Sequence, residues 1–447
     1  MIEMWPVGGY GEFGKNFTGF RFGNEVIICD MGVSTDKLVS LEEQGIESPA
    51  QISTEELIKN DAIPDDEDFF EEWGYLVKAI IIGHAHLDHI WATMKLAEKY
   101  DCPIILTPFT AEVLKNLSKN ENIKIPNKII RINPGGYYNI SEKLKVEFIY
   151  ATHSTPQTVI VAIHYEDQTI IYAVDWKFDD YPTLGKRTDY KRLEQLGESK
   201  KVLALVSDST RIDQESRTFS ESLVKNMFKD ILFWTENKDN AIFVTTFASH
   251  VARLNMLVNM AQEMGRKPVI MGRSINNYLS AAEKINLVNI TKKAKLCIYK
   301  NQIAKMLKEI EKNRKHYFVI CTGCQGEPNS VLSRIARDEF KFKFTGDDQV
   351  IFSASTIPTE VNAINRKTIE KELKQKGVRI FSEVHVSGHA SKEDLRDMIK
   401  MLKPKHFIPA HGTLDKLSAG INLAQEMGYI LGKTAHLLYN GHKKKLN

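Results

Sequence analysis

Short apolar runs that end in polar or turn residues dominate the first half of the chain. The runs are rich in Val and Ile, residues that favour strands, and turn patterns such as 166–168 separate them. The pattern predicts strands at 25–29, 76–82, 128–132, 145–150, 159–163 and 169–174. Residues 90–97 have the spacing of a helix, which therefore follows the second of these strands.

The middle of the chain has a different pattern. From about 215 to 365, apolar strand-like runs alternate with amphipathic helical segments, as in a strand at 241–245, a helix at 251–265 and a strand at 268–271. Such alternation predicts parallel strands joined by crossover helices. Short strands return at 378–381 and 406–410. We therefore predict an α/β domain inserted into another domain that the C-terminal segment completes. The predicted outer domain is 1–210 with 386–447, and the predicted insert is 211–385.

The composition predicts a cytoplasmic protein with a large core. The 447 residues are 43% hydrophobic and 26% charged, and the net charge of +3 is too small to indicate a partner. No apolar run approaches the roughly 18 residues of a membrane helix, and the N-terminus lacks the pattern of a secretory signal. Five scattered cysteines are typical of a reducing compartment, and the lone C-x-x-C at Cys321 and Cys324 lacks the second pair of a structural zinc site.

One segment concentrates positive charge. Residues 292–315 carry nine Lys and Arg residues against two acids, Glu309 and Glu311. Such a run is either a solvated helix face or a surface for an anionic partner, and the sequence leaves both open.

The densest chemical signal is the run from His84 to His89, which packs His84, His86, Asp88 and His89 into six residues. It lies where a buried strand turns into a helix. Alternate residues of an extended loop point the same way, so His84 and His86 should share one point and Asp88 and His89 a second. Histidines clustered at the end of a core strand would be costly without a partner. The run therefore predicts ligands for two neighbouring metal ions.

Further candidate ligands follow other predicted strands. His153 comes after the strand at 145–150, Asp175 after the strand at 169–174, and His411 after the strand at 406–410. Asp175 has the charge to bridge two cations. Two divalent ions about 3.5–4 Å apart can activate water and clamp both oxygens of a phosphodiester displacement. A set of His and Asp ligands without Cys indicates zinc or manganese.

Together these residues resemble the ligand set of the metallo-β-lactamase fold, and the inserted α/β region narrows the resemblance to the β-CASP nucleases. Asp208 in 206–210, His389 in 385–391 and His411 in 409–412 resemble the signature residues of that family. Several longer stretches are similar to ribonuclease J in particular, in its shorter archaeal form: 8–16, 245–249, 272–274, 325–328, 332–336 and 385–391. The implied fold is an αββα metallo-β-lactamase sandwich with an inserted parallel β-CASP α/β domain.

The resemblance implies catalytic roles for Asp88, Asp208 and His389, and metal ligation by His84, His86, Asp88, His89, His153, Asp175 and His411. Substrate contacts are expected from residues whose chemistry suits phosphate. Backbone N–H groups and a hydroxyl can hold phosphate, histidine can protonate a leaving 3′ oxygen, and arginine can pair with phosphate. The expected residues are His385, Val386, Ser387, Gly388, His389, Arg273 and Ser274, together with Phe247 and Ser249, which the resemblance of 245–249 to the family implies.

The resemblance implies a homodimeric ribonuclease with two divalent ions, zinc or else manganese. It would degrade single-stranded RNA 5′→3′ from a 5′-monophosphate end, in RNA decay and maturation. Three other functions are weighed: an endonuclease similar to the cleavage-and-polyadenylation type, a small-molecule metallo-hydrolase, and an RNA-binding subunit with a dead site. The inserted domain argues against a small substrate, and the complete ligand set argues against a dead site.

Overall fold

The computed structural model describes residues 1–43, 51–234 and 239–446. They form two compact units. Unit 1 comprises Met1–Asp180, Gly185–Thr218 and Gly388–Asn447, and unit 2 comprises Tyr181–Leu184 and Phe219–Ser387. None of the helices in the described ranges is long and apolar enough to cross a membrane.

The first part of unit 1 contains most of its strands. Its elements are β1 (Ile2–Gly8), β2 (Tyr10–Gly11), β3 (Phe17–Phe22), β4 (Glu25–Cys29), α1 (Thr35–Glu43), α2 (Thr54–Lys59), α3 (Glu67–Trp73), β5 (Val77–Ile82), α4 (Leu87–Ile90), α5 (Thr93–Leu96), β6 (Ile104–Leu106), α6 (Pro108–Glu121), β7 (Ile129–Arg131), β8 (Tyr137–Asn139), β9 (Leu144–Tyr150), β10 (Val159–Tyr165), β11 (Gln168–Ala173), α7 (Tyr190–Glu198) and β12 (Val202–Asp208).

Unit 2 alternates helices and strands, and unit 1 then closes the chain. Unit 2 contains α8 (Glu221–Phe233), β13 (Ile242–Thr246), α9 (Val251–Glu263), β14 (Lys267–Met271), α10 (Arg273–Lys284), β15 (Lys295–Cys297), α11 (Lys300–Lys312), β16 (Tyr317–Cys321), α12 (Val331–Ala336), β17 (Gln349–Ser353), α13 (Glu360–Gln375) and β18 (Arg379–Phe381). The final part of unit 1 contains α14 (Lys392–Leu402), β19 (His406–Ala410), β20 (Gly412–Thr413), α15 (Leu414–Glu426) and β21 (Lys444–Leu446).

Unit 1 is a four-layer αββα sandwich, which confirms the predicted fold. One sheet has the strand order β21-β1-β3-β4-β5-β6-β7, and the other has the order β19-β12-β11-β10-β9-β8. Apolar side chains from the two sheets, such as Ile81 and Phe148, form one shared core. Helices cover the outer faces: Phe69 of α3 packs on Trp5 of the first sheet, and Leu395 of α14 packs in the cluster outside the second.

Unit 2 is a three-layer parallel α/β domain, as the alternating pattern predicted. All six strands run parallel in the order β15-β14-β16-β13-β17-β18. Helices α8, α9 and α10 pack on one face and α11, α12 and α13 on the other. Cys321 ends β16, and it and Cys324 are buried, unpaired thiols whose pKa is raised by burial.

The first unit boundary lies eight residues beyond the predicted 210 and the second lies two residues beyond the predicted 385, while Tyr181–Leu184, within the predicted outer domain, belongs to unit 2. Thr218 still belongs to unit 1 because its Oγ1 donates to the His389 carbonyl at 2.7 Å and its N–H donates to Asp394 at 2.8 Å. Gly388 opens the final segment of unit 1, where its carbonyl accepts a hydrogen bond from His153 Nδ1 at 2.7 Å. These long-range contacts decide where each unit begins and ends.

Candidate metal centre

The predicted ligands lie at the carboxyl ends of strands in unit 1. His84 and His86 follow β5, Asp175 follows β11, and His411 follows β19. β4 runs parallel to β5 in one sheet, while β11, β12 and β19 run parallel in the other. Carboxyl ends of neighbouring parallel strands lie at one edge of a sheet. The topology thus gathers residues that are far apart in sequence.

The segment after His86 is helical but divided. In place of the single helix expected at 90–97, two four-residue helices form, α4 and α5, and the first begins at Leu87. The carbonyls of Leu87, Asp88 and His89 accept hydrogen bonds from the N–H groups of Val33, Asn16 and Met31 at 3.3, 3.1 and 2.8 Å. Carbonyls of α4 thus accept hydrogen bonds from N–H groups outside the helix, and these bonds hold Asp88 and His89 in place. A Cβ atom at Gly32 would lie 1.5 Å from the Asp88 carbonyl oxygen, so this approach requires glycine.

A first group of donors comprises His84, His86, His153 and Asp175. Nε2 of His84 lies 3.1 Å from Nδ1 of His86 and 3.2 Å from Oδ2 of Asp175. Nε2 of His153 lies 3.1 Å from the same His86 atom and 3.3 Å from the same Asp175 atom. A tetrahedral zinc ion with bonds of about 2.1 Å holds its donors about 3.4 Å apart. The spacing of the group therefore fits one such ion.

A second group comprises Asp88, His89, His411 and again Asp175. Nε2 of His89 lies 3.5 Å from Oδ2 of both Asp88 and Asp175. Nε2 of His411 lies 3.6 Å from Oδ2 of Asp88 and 3.5 Å from Oδ1 of Asp175. Two nitrogens and two carboxylates at these distances could hold a second divalent ion.

Asp175 belongs to both groups. Its Oδ1 is buried and has no hydrogen-bond partner among the described residues. Its backbone is also in the left-handed region, with φ of 66°. A non-glycine residue pays a conformational penalty of about 1–3 kcal/mol there, and such residues cluster at functional sites. An unpaired buried carboxylate oxygen between two donor groups fits a bridge between two cations.

The electrostatics favour a cation. Burial lowers the pKa of His84 and lowers the pKa of His153 to about 4, so both rings are neutral, the form that binds metal. Burial opposes ionisation of Asp88 and Asp175, but the facing histidines outweigh it and hold the pKa of both carboxyls well below the usual range. At neutral pH the first group thus offers a carboxylate beside the neutral rings of His84 and His153. In the second group, burial opposes protonation of His89, but Asp175, Asp88 and Asp30 outweigh it and raise its pKa, so a bound cation would have to displace a proton there.

Asp30 orients His89 from behind. It follows β4, is 1% exposed, and accepts a hydrogen bond from His89 Nδ1 at 2.8 Å. Tyr172 donates to the same oxygen at 3.0 Å, and the N–H of Gly83 donates to the other at 3.0 Å. With the proton fixed on Nδ1, the Nε2 lone pair of His89 points to the second group. Outer partners of this kind hold the tautomer and the direction of a metal-binding histidine.

Asn16 connects His411 to the opening motif. Its amide oxygen and nitrogen lie 3.1 and 3.0 Å from Nδ1 of His411. Its Nδ2 also donates to the Asp88 carbonyl at 3.0 Å and lies 3.1 Å from Nε2 of His89, so one side chain contacts both histidines of the second group.

A third group places His389 and Asp208 beside Asp175. Nδ1 of His389 donates to Oδ2 of Asp208 at 2.8 Å and lies 3.8 Å from Oδ1 of Asp175. Burial opposes protonation of His389, but the carboxylates of Asp208 and Asp175 outweigh it and raise its pKa to about 9. A histidine that keeps its proton at neutral pH and is partly open to solvent is suited to donate it.

Gly388 also has a structural role inside unit 1. A Cβ atom there would lie 2.9 Å from both Cε1 and Nδ1 of His153. The close approach that requires glycine is therefore made by the ring of His153, which is a candidate ligand.

In unit 2, a buried arginine controls His385. Arg253 is fully buried and donates to both carboxylate oxygens of Glu221, at 2.9 and 2.6 Å, and to the Ser353 carbonyl at 2.8 Å. It also donates to Nδ1 of His385 at 2.7 Å. Guanidinium cannot accept, so Nδ1 of His385 must, and the proton of this ring is on Nε2. His385 can therefore act as a hydrogen-bond donor through Nε2.

The other predicted substrate residues of unit 2 lie at strand ends or in the segment leading out of it. Phe247 follows β13, and its ring lies 6.3 Å from that of His385. Arg273 and Ser274 are exposed in the first turn of α10, directly after β14. Ser249, Val386 and Ser387 are buried.

Sequence reasoning missed Asp30, Asn16, Tyr172, Glu221 and Arg253. A signal existed for Asp30, because an acid directly after a strand parallel to β5 lies at the same sheet edge as His84. A signal also existed for Arg253, a charge among apolar residues of a predicted buried helix. The pairing of Asn16 with His411 spans 395 residues and leaves no local pattern.

Three family models match successive parts of the chain. A beta-lactamase superfamily domain matches residues 74–190. The beta-CASP domain of ribonuclease J matches residues 239–371. A Zn-dependent metallo-hydrolase RNA specificity domain matches residues 378–437.

Curated relatives align along almost the whole chain. Ribonuclease J of Pyrococcus abyssi is 40% identical over 99% of this chain and 96% of its own. Ribonuclease J of Methanocaldococcus jannaschii is 40% identical over 98% of each chain, and that of Sinorhizobium meliloti is 32% identical over 96% of this chain and 72% of its own. Among solved structures, a protein of unknown function from Enterococcus faecalis V583 covers 99% of each chain with a TM-score of 0.66 at 15% identity, a likeness of fold alone.

Proposed function

The chain belongs to the ribonuclease J family, and on that premise we propose that it is a metal-dependent ribonuclease that hydrolyses RNA phosphodiester bonds processively, 5′→3′, from a 5′-monophosphate end. The observation that carries the proposal is the arrangement of seven donor residues in two groups that share Asp175, with His389 held beside them. A site of this kind can activate water and protonate a leaving group.

Each residue of the centre has a proposed role that rests on its contacts. His84, His86 and His153 would hold one divalent ion, Asp88, His89 and His411 a second, and Asp175 both. When bound, the ions would activate water at neutral pH and supply positive charge for the phosphate. Asp208 accepts a hydrogen bond from Nδ1–H of His389 at 2.8 Å and so would orient the ring, and the Nε2–H of the protonated ring would give its proton to the leaving 3′ oxygen. Protonation by a placed histidine contributes about 10²–10⁴-fold to a rate.

Zinc is the proposed metal, with manganese as the alternative. Imidazole and carboxylate donors at tetrahedral spacing suit zinc, and one of the matching family models is described as Zn-dependent. The protein would act in the cytoplasm as a homodimer, in RNA decay and maturation.

We propose that His385 to Gly388 and Phe247, Ser249, Arg273 and Ser274 contact the substrate. The donor Nε2 of His385 and the exposed guanidinium of Arg273 suit phosphate oxygens. The ring of Phe247 suits stacking on a base, and such stacking does not depend on the nucleotide sequence.

The direction and end preference are tested with one RNA sequence in three forms: 5′-monophosphate, 5′-triphosphate and circular. The proposal expects mononucleotides to accumulate from the monophosphate form, slow decay of the triphosphate form and no cutting of the circle. Rapid cutting of the circle into fragments would instead establish an endonuclease similar to the cleavage-and-polyadenylation type.

Replacing Asp30 by asparagine is expected to weaken metal binding without removing a ligand. The variant loses the carboxylate that fixes the His89 tautomer, and outer partners of this kind are worth about 10–100-fold in metal affinity. Zinc affinity, measured by competition with a chelator, should fall by that factor, and added zinc should restore cleavage.

Asp66→Asn is the matched control, since Asp66 is also buried and also accepts from a tyrosine, Tyr100, at 2.6 Å, away from the centre. Equal zinc affinity in the Asp30 variant and the native protein would remove Asp30 from the metal site.

A further inference from the structure

We infer that the exposed face of α11, extended by the neighbouring 340–344 segment, is a second RNA-binding surface of unit 2, which holds the phosphate backbone of the substrate outside the catalytic centre. The surface is defined by Lys305, Lys308, Lys312, Lys341 and Lys343; Lys315 lies beyond the end of α11 and pairs with Asp239 at 3.5 Å. The inference rests on the proposed function only for the choice of RNA as the polyanion.

Charge is distributed unevenly along the chain. Residues 292–315 hold nine of the 60 basic residues and two of the 57 acidic ones, which leaves 51 basic and 55 acidic residues elsewhere. Without this segment the net charge of the chain would be negative, and with it the net charge is positive. A local field of this kind attracts polyanions even when the global charge is small.

The helix geometry lines the charges up. Ile303, Met306, Leu307 and Ile310 of α11 are buried in the core of unit 2. On the opposite face, Lys305, Lys308 and Lys312 are exposed at spacings of three and four residues, which puts them in one row. The 13 residues of α11 extend over about 20 Å at 1.5 Å per residue.

The neighbouring segment adds two charges to the row. Phe340, Phe342 and Phe344 alternate inward and are buried, so Lys341 and Lys343 point outward. The segment lies against the end of α11, where Arg314 Nη2 donates to the Lys343 carbonyl at 2.7 Å.

The two acidic residues of 292–315 contact groups other than Lys305, Lys308 and Lys312. Glu309 accepts from the hydroxyl of Tyr317 and lies 3.8 Å from Lys295. Glu311 accepts from the backbone N–H of Lys343 at 3.1 Å. Among the described residues, Lys305, Lys308 and Lys312 form no ion pair. A merely solvated helix face usually intersperses both signs, as α13 does with Lys367, Glu370 and Lys374.

The row begins at the sheet edge that carries the predicted substrate residues. Cys297, at the end of β15, is the register partner of Met271, and Gly272 and Arg273 follow directly. Tyr299, 62% exposed at the start of α11, offers a ring for base stacking there. Ligands of parallel α/β sheets bind at this carboxyl edge. RNA leaving that edge would meet the lysine row.

The chemistry favours nucleic acid over a protein partner. Lysine is depleted in protein–protein interfaces, whose centres are apolar and aromatic. A row of unpaired lysines matches a chain of phosphates, and each neutralised phosphate of a single strand contributes about 0.7 to the salt dependence of binding.

The test combines Lys305→Gln, Lys308→Gln and Lys312→Gln in the full chain. The control combines Lys367→Gln, Lys371→Gln and Lys374→Gln on α13, which removes the same charge from a mixed surface. Binding of a 30-nucleotide unstructured RNA is measured without divalent metal over a range of salt, and cleavage of a 5-nucleotide RNA is measured with metal.

We expect the α11 variant to lose about tenfold in affinity for the long RNA at low salt. Its slope of log K against log salt should fall by about 2, from three lost phosphate contacts. The control should bind as the native protein does, and both variants should cleave the short RNA at the native rate. Equal losses of RNA affinity in both variants would show that the effect comes from net charge alone and would overturn the inference.

Unchanged RNA binding with an altered molar mass in light scattering would make the surface a protein interface and would also overturn the inference. Because binding is measured without metal, an absence of cleavage in every protein would count against the proposed ribonuclease activity and leave the binding result intact.

Discussion

Replacing Asp175 with asparagine is expected to remove both metal ions and abolish RNA cleavage. Its carboxylate is the one donor common to both groups, with Oδ2 3.2 Å from His84 and Oδ1 3.5 Å from His411. Bound metal supplies several kcal/mol of transition-state stabilisation, so cleavage should fall by at least about 10³-fold. Metal content by mass spectrometry should fall from two ions per chain to below one.

Two further variants make this result specific. His86→Ala removes a donor of the first group only, so it should abolish cleavage while one ion remains. His164→Ala removes a half-buried histidine of unit 1 that bonds to Glu147 at 2.9 Å, outside all three groups, and should change neither quantity. RNA binding should survive in all three variants because it comes mainly from phosphate contacts. Two ions retained in the Asp175 variant would exclude a bridging role.

The second large effect is expected from His389→Ala, which should slow cleavage by about 10²–10⁴-fold while both ions stay bound. Its Nδ1 lies 2.8 Å from Oδ2 of Asp208 and 3.8 Å from Oδ1 of Asp175. In the proposed mechanism His389 serves as an acid, so its loss is expected to leave the seven donors of the two groups in place.

A modified substrate separates an acid from a residue that only shapes the site. In RNA with a bridging sulfur at the 3′ position, the leaving group departs as a thiolate and needs no proton. The His389 variant should cleave this linkage at close to the native rate. Slow cleavage of both linkages would assign His389 a positioning role, and loss of metal would make it a ligand.

The sequence predicted those parts of the site in which potential metal ligands directly follow a predicted strand. His84 to His89, Asp175 and His411 were found as polar residues that directly follow predicted strands, and in the structure His84 and His86 lie in one group of donors and Asp88 and His89 in another. The parallel inserted domain followed from the alternation of strand-like and helical segments, while the αββα sandwich was implied by the family resemblance, and both are confirmed.

The rest depended on contacts without a local pattern. The helix predicted at 90–97 is interrupted after Ile90, where the carbonyls of Asp88 and His89 accept from the N–H groups of Asn16 and Met31, and periodicity does not record such competition. The role of Gly388 against the His153 ring joins residues 235 apart in sequence. Likewise, the Arg253 contact that sets the His385 tautomer spans 132 residues.

The central claim is that two metal ions at one centre drive cleavage from the 5′ end. The most direct test strips the protein of metal and titrates it with zinc, while cleavage of a 5′-labelled monophosphate RNA is followed in time. We predict no cleavage without metal, a rate that rises until two equivalents are bound, and labelled mononucleotide as the first product. Saturation of the rate at one equivalent of zinc, or cleavage that persists when a chelator is present, would contradict a two-metal mechanism.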